Sequence, residues 1–167
     1  MKKISFLLDQ FSERTGRIFS WLTLVMVLLM ALIVTLRYVF QIGSIALQES
    51  IIYINALIFT LGAAYTLKEN GHVRVDIFYS RLTPRSKAII DLIGTLVFLL
   101  PSAIFICWVS WDYVSLSWRI KEASAELSGL PYVYLLKATI ILLAALLSLQ
   151  GISEVIKSIT IIRESNT

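Results

Sequence analysis

The chain is predicted to be an all-α integral membrane protein: four transmembrane helices, short interfacial helical segments, and both termini in the cytoplasm. Two observations predict this. Four apolar runs, at about 18–40, 46–67, 89–111 and 132–155, each suffice to cross a ~30 Å hydrocarbon core, which takes ~20 helical residues at ~1.5 Å each. The basic residues, meanwhile, gather in alternate connecting segments. Lys2, Lys3, Arg14 and Arg17 precede the first run; Lys68, Arg74, Arg81, Arg85 and Lys87 lie between the second and third; Lys157 and Arg163 follow the fourth. These are eleven of the 15 Lys and Arg. Short segments rich in Lys and Arg stay on the cytoplasmic side during insertion, which places the first, third and fifth segments there.

Composition agrees. Hydrophobic residues make up 57% of the chain and charged residues 16%. A soluble helix would carry a polar face, yet Leu24 to Leu36 and Ile140 to Leu149 are apolar nearly all round. The net charge of +4 is gathered on one membrane side, so it points to lipid headgroups and insertion rather than to nucleic acid. The whole of residues 1–167 reads as one four-helix membrane domain, without repeats or a soluble domain.

The elements follow in order. Ile4, Leu7, Leu8, Phe11 and Ile18 recur at helical spacing, which predicts an amphipathic helix on the cytoplasmic surface ahead of span one, with a simple frayed extension of span one as the alternative. The Met-Lys-Lys start resembles a signal-peptide n-region, but Asp9, Gln10, Glu13 and Arg14 interrupt it, so span one is expected to be retained. Span two ends near Gly71, where positive φ is expected to permit the turn. Thr83-Pro84 reads as an N-cap followed by a proline at the first helical position of span three. Leu116, Ile120, Ala123 and Leu127 keep helical spacing, so this helix is expected to project into the outer headgroups. Gly129 then breaks the chain, and Leu130-Pro131 starts span four.

Charges near the spans are the candidate structural residues, since lipid makes them expensive. Arg37 ends span one and Glu49 begins span two, across the short Gln41–Ile45 loop, so the two are expected to pair at the periplasmic rim. Lys137, about two turns into span four, either snorkels to the interface or meets an acid on a neighbouring helix. Asp91 and Glu154 lie near the cytoplasmic ends of spans three and four, where they are expected to fix helix register and subunit contacts. Catalytic chemistry finds no support. His72 is the single histidine and Cys107 the single cysteine, so neither a bis-histidine haem, a two-histidine zinc site nor a disulfide can be built from this chain alone. No cofactor is expected.

The stretch Gly62-Ala63-Ala64, then Leu67-Lys68-Glu69-Asn70-Gly71-His72-Val73-Arg74-Val75-Asp76, resembles the small, DctQ-like membrane subunit of TRAP (tripartite ATP-independent periplasmic) transporters. So do Arg37-Tyr38-Val39-Phe40 closing span one, Gln48-Glu49 opening span two, and Leu130-Pro131 ahead of span four. Gln48 departs from the family's acidic pair, which leaves Glu49 alone to carry that charge. The resemblance implies a non-catalytic subunit of a sodium-driven importer of small organic acids or related solutes in the bacterial inner membrane. It implies a large membrane subunit as heterodimer partner, holding the substrate and sodium sites on a scaffold that the small subunit widens. A periplasmic solute-binding protein would dock transiently from outside, and Asp112, Trp118, Arg119, Lys121, Glu122, Glu126 and Tyr132 are the candidate contacts. Gly71, His72, Arg74 and Asp76 would hold the middle loop under the helices. Two other classes stay open: a membrane anchor for a redox enzyme, and a stand-alone four-helix carrier.

Overall fold

The computed structural model describes residues 2–69, 71, 79 and 82–164, with side chains from residue 6 onward except at 15 and 17–19. Four long helices account for nearly all of it, and no strand occurs among the described residues. They are α1 (Lys2–Tyr38), α2 (Ile45–Lys68), α3 (Pro84–Ile120) and α4 (Val133–Glu164). All four contain windows apolar and long enough to cross a membrane, the one in α1 being Ser20–Tyr38. α4 packs against each of the other three, and α1 also packs along α2. One end of the bundle carries the start of α1 and the end of α4; the other carries the α1–α2 and α3–α4 connections.

The amphipathic N-terminal segment is helical, as its spacing predicts, but it runs without a break into span one. Nothing in its sequence forces a turn: there is no proline, and Gly16 is used for close approach. A Cβ there would lie 2.6 Å from Tyr65 Cβ on α2. α1 closes at a turn where Gln41 takes a left-handed φ of 59° and its side chain donates to the Tyr38 carbonyl at 3.1 Å. Ser44 caps α2 by accepting from the Leu47 amide.

The far end of α2 is closed by the Gly71 amide, which donates to the Thr66 carbonyl at 2.9 Å. None of the described glycines has positive φ, so the expectation for Gly71 is corrected. Room, not handedness, limits the position: a Cβ would lie 3.1 Å from Thr66 Cγ2. Thr83 caps α3 as predicted, accepting from the Ser86 amide at 3.2 Å, with Pro84 at the first turn.

α3 is not uniform. Thr95–Leu99 forms a π-helical turn, in which the Leu100 amide donates to the Thr95 carbonyl. Pro101 explains it: proline has no amide to offer the carbonyl four residues back, and its ring crowds that carbonyl, so the preceding turn widens. The widened turn packs on Gly151 of α4, where a Cβ would lie 2.8 Å from Leu99 Cδ2. The helix continues past span three to Ile120 but stops there: Lys121 turns left-handed, and Ala123 and Leu127, whose spacing predicts further helix, lie in the α3–α4 connection. α4 begins at Val133, two residues after Pro131.

The core is small. Leu61, Ala64 and Leu146 form a buried cluster with Leu57 packed against it, while the outer faces of α1 and α3 stay exposed. Trp108 is 77% exposed and Phe98 70%, a disposition that water would penalise and lipid or a membrane partner would accept.

Candidate functional site

Polar side chains collect at the two ends of the bundle. At the end that carries the start of α1, α4 presents Gln150, Ser153, Glu154 and Lys157 on one helical face toward Asp9 and Ser12 of α1. Gln150 and Ser153 are both 0% exposed. Ser12 Oγ donates to Gln150 Oε1 at 2.7 Å, and Gln150 Nε2 donates to Asp9 Oδ1 at 3.0 Å and to Glu154 Oε1 at 3.1 Å. Ser153 Oγ donates to Asp9 Oδ1 at 2.8 Å. Lys157 Nζ completes the group, 2.7 Å from Asp9 Oδ2 and 2.8 Å from Glu154 Oε1. Burial pushes the Asp9 carboxyl up, but hydrogen bonds from Lys157, Gln150 and Ser153, with the Lys157 charge, outweigh it and hold the carboxyl below the ordinary aspartate value. Beside this group Lys68 of α2 pairs with Glu13 at 2.8 Å and with Glu69 at 3.0 Å. The Tyr79 hydroxyl donates to Asp91 Oδ2 at 2.6 Å, tying Tyr79 to α3.

At the opposite end one carboxylate organises the α3–α4 connection. Glu49, near the start of α2, accepts from Ser124 Oγ with one oxygen and from the Leu130 amide with the other, at 2.6 Å. The Ser124 amide donates to the Leu130 carbonyl at 3.1 Å, and the Gly129 amide to the Glu126 carbonyl at 3.0 Å. Residues 124–130 are thus a loop closed at its base by an acid from another helix. Gly129 is needed there, because a Cβ would overlap the Ser124 side chain and lie 2.7 Å from Glu49 Oε1.

Lys137 of α4 binds Glu122 and lies over the Tyr113 ring, 4.0 Å from its centroid. Of its two expected arrangements, this is the pairing with a neighbouring acid. The hydrogen bond from Lys137 is the main cause that holds the Glu122 carboxyl below the ordinary glutamate value, with desolvation opposing. Lys121 ends α3 in a left-handed conformation, φ 49°, and its amide returns to the Ser117 carbonyl. That geometry costs a non-glycine residue ~1–2 kcal/mol. Its ammonium sits 4.8 Å from the ring centroids of both Trp118 and Tyr134, which helps to hold it. Trp118 and Tyr132 each stack edge-on against Tyr134.

The expected rim pair is not formed. Glu49 is taken by the loop, which offers it the Ser124 hydroxyl and the Leu130 amide. Arg37 is exposed in the last turn of α1, where a cation favours the carbonyl end of the helix. Of the residues expected to face a soluble partner, Lys121, Glu122, Trp118 and Tyr132 are engaged within the chain, while Asp112, Arg119 and Glu126 stand exposed. Glu154 joins the α1–α4 network and Asp91 holds Tyr79. His72, Arg74 and Asp76 lie outside the described residues.

Sequence reasoning missed Asp9, Ser12, Ser153, Lys157 and Ser124. A signal for the first four was present. Gln150, Ser153, Glu154 and Lys157, like Asp9, Ser12 and Glu13, are spaced to share a helix face, so two polar stripes had to find each other at the membrane edge. Ser124 carried no such signal.

Four apolar helices, polar ties at the two ends of the bundle and wide apolar outer faces describe a membrane subunit that braces itself at its rims. Searches of curated proteins and of solved structures returned no match. Residues 26–160 match the profile of the DctQ component of tripartite ATP-independent periplasmic transporters, and the chain belongs to that family.

Proposed function

We propose that this chain is the non-transporting small membrane subunit of a sodium-driven, binding-protein-dependent importer, acting as scaffold for a large transport subunit. As a DctQ-family protein it is a multi-pass component of the bacterial inner membrane. The observation that carries the scaffold role is the use of its charges. Asp9, Lys157, Glu13, Lys68, Glu122 and Lys137 are all spent on joining one part of this chain to another at the ends of the helices. Between those ends the outer surfaces of α1 and α3 are broad and apolar, suited to packing beside another membrane protein.

In this reading the termini face the cytoplasm and the α1–α2 and α3–α4 connections face the periplasm, following the charge asymmetry. The large subunit supplies the sodium and substrate sites, and a soluble periplasmic protein delivers the solute to the outer end, where the segment 112–132 is available to it. Co-expression with the large subunit tests the proposal. The expected result is a stable one-to-one complex, with sodium-dependent uptake only when all three components are present. Uptake by this chain alone in proteoliposomes would overturn it.

A further inference from the structure

The α3–α4 connection departs from an ordinary linker in being closed and yet pointed. Its base is held by Glu49 through Ser124 and the Leu130 amide, and across the base by the Ser124 amide on the Leu130 carbonyl. Its tip is Leu127, whose side chain is wholly exposed, beside the exposed Glu126. The loop lies outside the apolar spans, between Ile120 and Val133. A leucine held out by a fixed backbone has already given up the loop freedom that binding would otherwise cost, so its burial against a partner counts almost undiminished.

Besides the large subunit proposed beside the helices, lipid and a soluble protein could each cover such a tip, and Glu126 decides between these two. Lowering Leu127 into the lipid boundary would draw the neighbouring carboxylate toward hydrocarbon, which charged groups resist. A folded protein in water has no such conflict: it can offer an apolar socket for the leucine and a basic side chain beside it for the acid.

We propose that loop 124–130 is a preformed docking knob, with Leu127 as apolar anchor and Glu126 as steering charge, for the soluble periplasmic component. The proposal rests on the reading of the chain as a small transporter subunit, and it narrows the outer segment to one loop.

The test is binding of the purified periplasmic component to nanodiscs that hold both membrane subunits. Leu127→Asp should raise the dissociation constant about tenfold or more, and Leu127→Ile should stay close to wild type. Glu126→Lys should weaken binding at low salt and flatten its salt dependence, because an exposed charge acts through screened attraction. The subunits should co-purify in equal amounts in every variant. Unchanged binding by Leu127→Asp, with wild-type nanodiscs binding normally, overturns the knob and leaves the transporter reading intact. Absence of binding to wild-type nanodiscs at any concentration overturns the transporter reading itself.

Discussion

Lys157 of α4 places its ammonium 2.7 Å from Asp9 Oδ2 of α1, joining two helices whose residues stand at opposite ends of the chain. The lysine side chain is 32% exposed and the aspartate 19%, so the pair is neither a surface contact nor fully desolvated. Removing Lys157 leaves the Asp9 carboxylate on Gln150 and Ser153 without a neutralising charge, and removing Asp9 leaves Lys157 with Glu154 alone. A fully buried orphan charge would cost ~3–5 kcal/mol, and partial exposure reduces that. Asp9→Ala and Lys157→Ala are each expected to lower stability by ~1–3 kcal/mol, read from the denaturation midpoint in detergent. The double variant should lose clearly less than the sum of the two, because the residues are in contact. Strict additivity would mean that α1 is held by apolar packing alone.

The same geometry sets a pH dependence. The carboxyls of Asp9 and Glu122 both lie below their ordinary values when folded. A carboxyl with a lowered folded value stabilises the fold above its unfolded value, near ~4, and loses that contribution as pH falls through the folded value. Amide exchange around Asp9 and across residues 121–130, corrected for intrinsic rates, should therefore be flat from pH 8 to about 5 and rise below about 4. A rise between pH 8 and 6 would contradict both assignments.

Two helical glycines separate room from flexibility. Gly94 of α3 has nothing within 4 Å of an added Cβ, whereas Gly151 of α4 meets Leu99 at 2.8 Å. Gly94→Ala is expected to stabilise the isolated subunit by ~0.5–1 kcal/mol through helix propensity. Gly151→Ala should destabilise it by ~1–3 kcal/mol by forcing the π-helical turn off α4. Thermal unfolding in one detergent decides the sign of each.

What could be read from the chain follows the range of the forces involved. Lipid imposes long apolar runs, and insertion sorts charge between segments, so the four helices are written locally. The Thr83-Pro84 cap is equally local, since its acceptor and donor are three residues apart. Partner choice is not local. Arg37 is Glu49's nearest cation in sequence, yet the acid is taken by Ser124 and Leu130, 75 and 81 positions away. Lys137 could be narrowed only to two arrangements until Glu122 was brought beside it. Pro101 was visible, but its effect on the preceding turn depends on Gly151 leaving space for the widened backbone.

Glu49 offers the sharpest test of how the α3–α4 end of the bundle is built. Its two oxygens serve two donors, so Glu49→Gln keeps one acceptor and turns an NH₂ group toward the other donor, whereas Glu49→Ala removes both. Hydrogen exchange at the Ser124, Gly129 and Leu130 amides should accelerate about tenfold in Glu49→Ala and less in Glu49→Gln. Gly129→Ala should reproduce the loss, because its methyl group would overlap Ser124 and crowd Glu49 Oε1. Arg37→Ala should leave the loop unchanged, since Arg37 stands in the last turn of α1 and Glu49 faces the other way, onto the loop. Equal loosening of the loop by Arg37→Ala and Glu49→Ala would restore the rim pair and unseat the loop closure. Loosening by Glu49→Ala alone would leave the carboxylate as the group that fixes the shape of the α3–α4 connection.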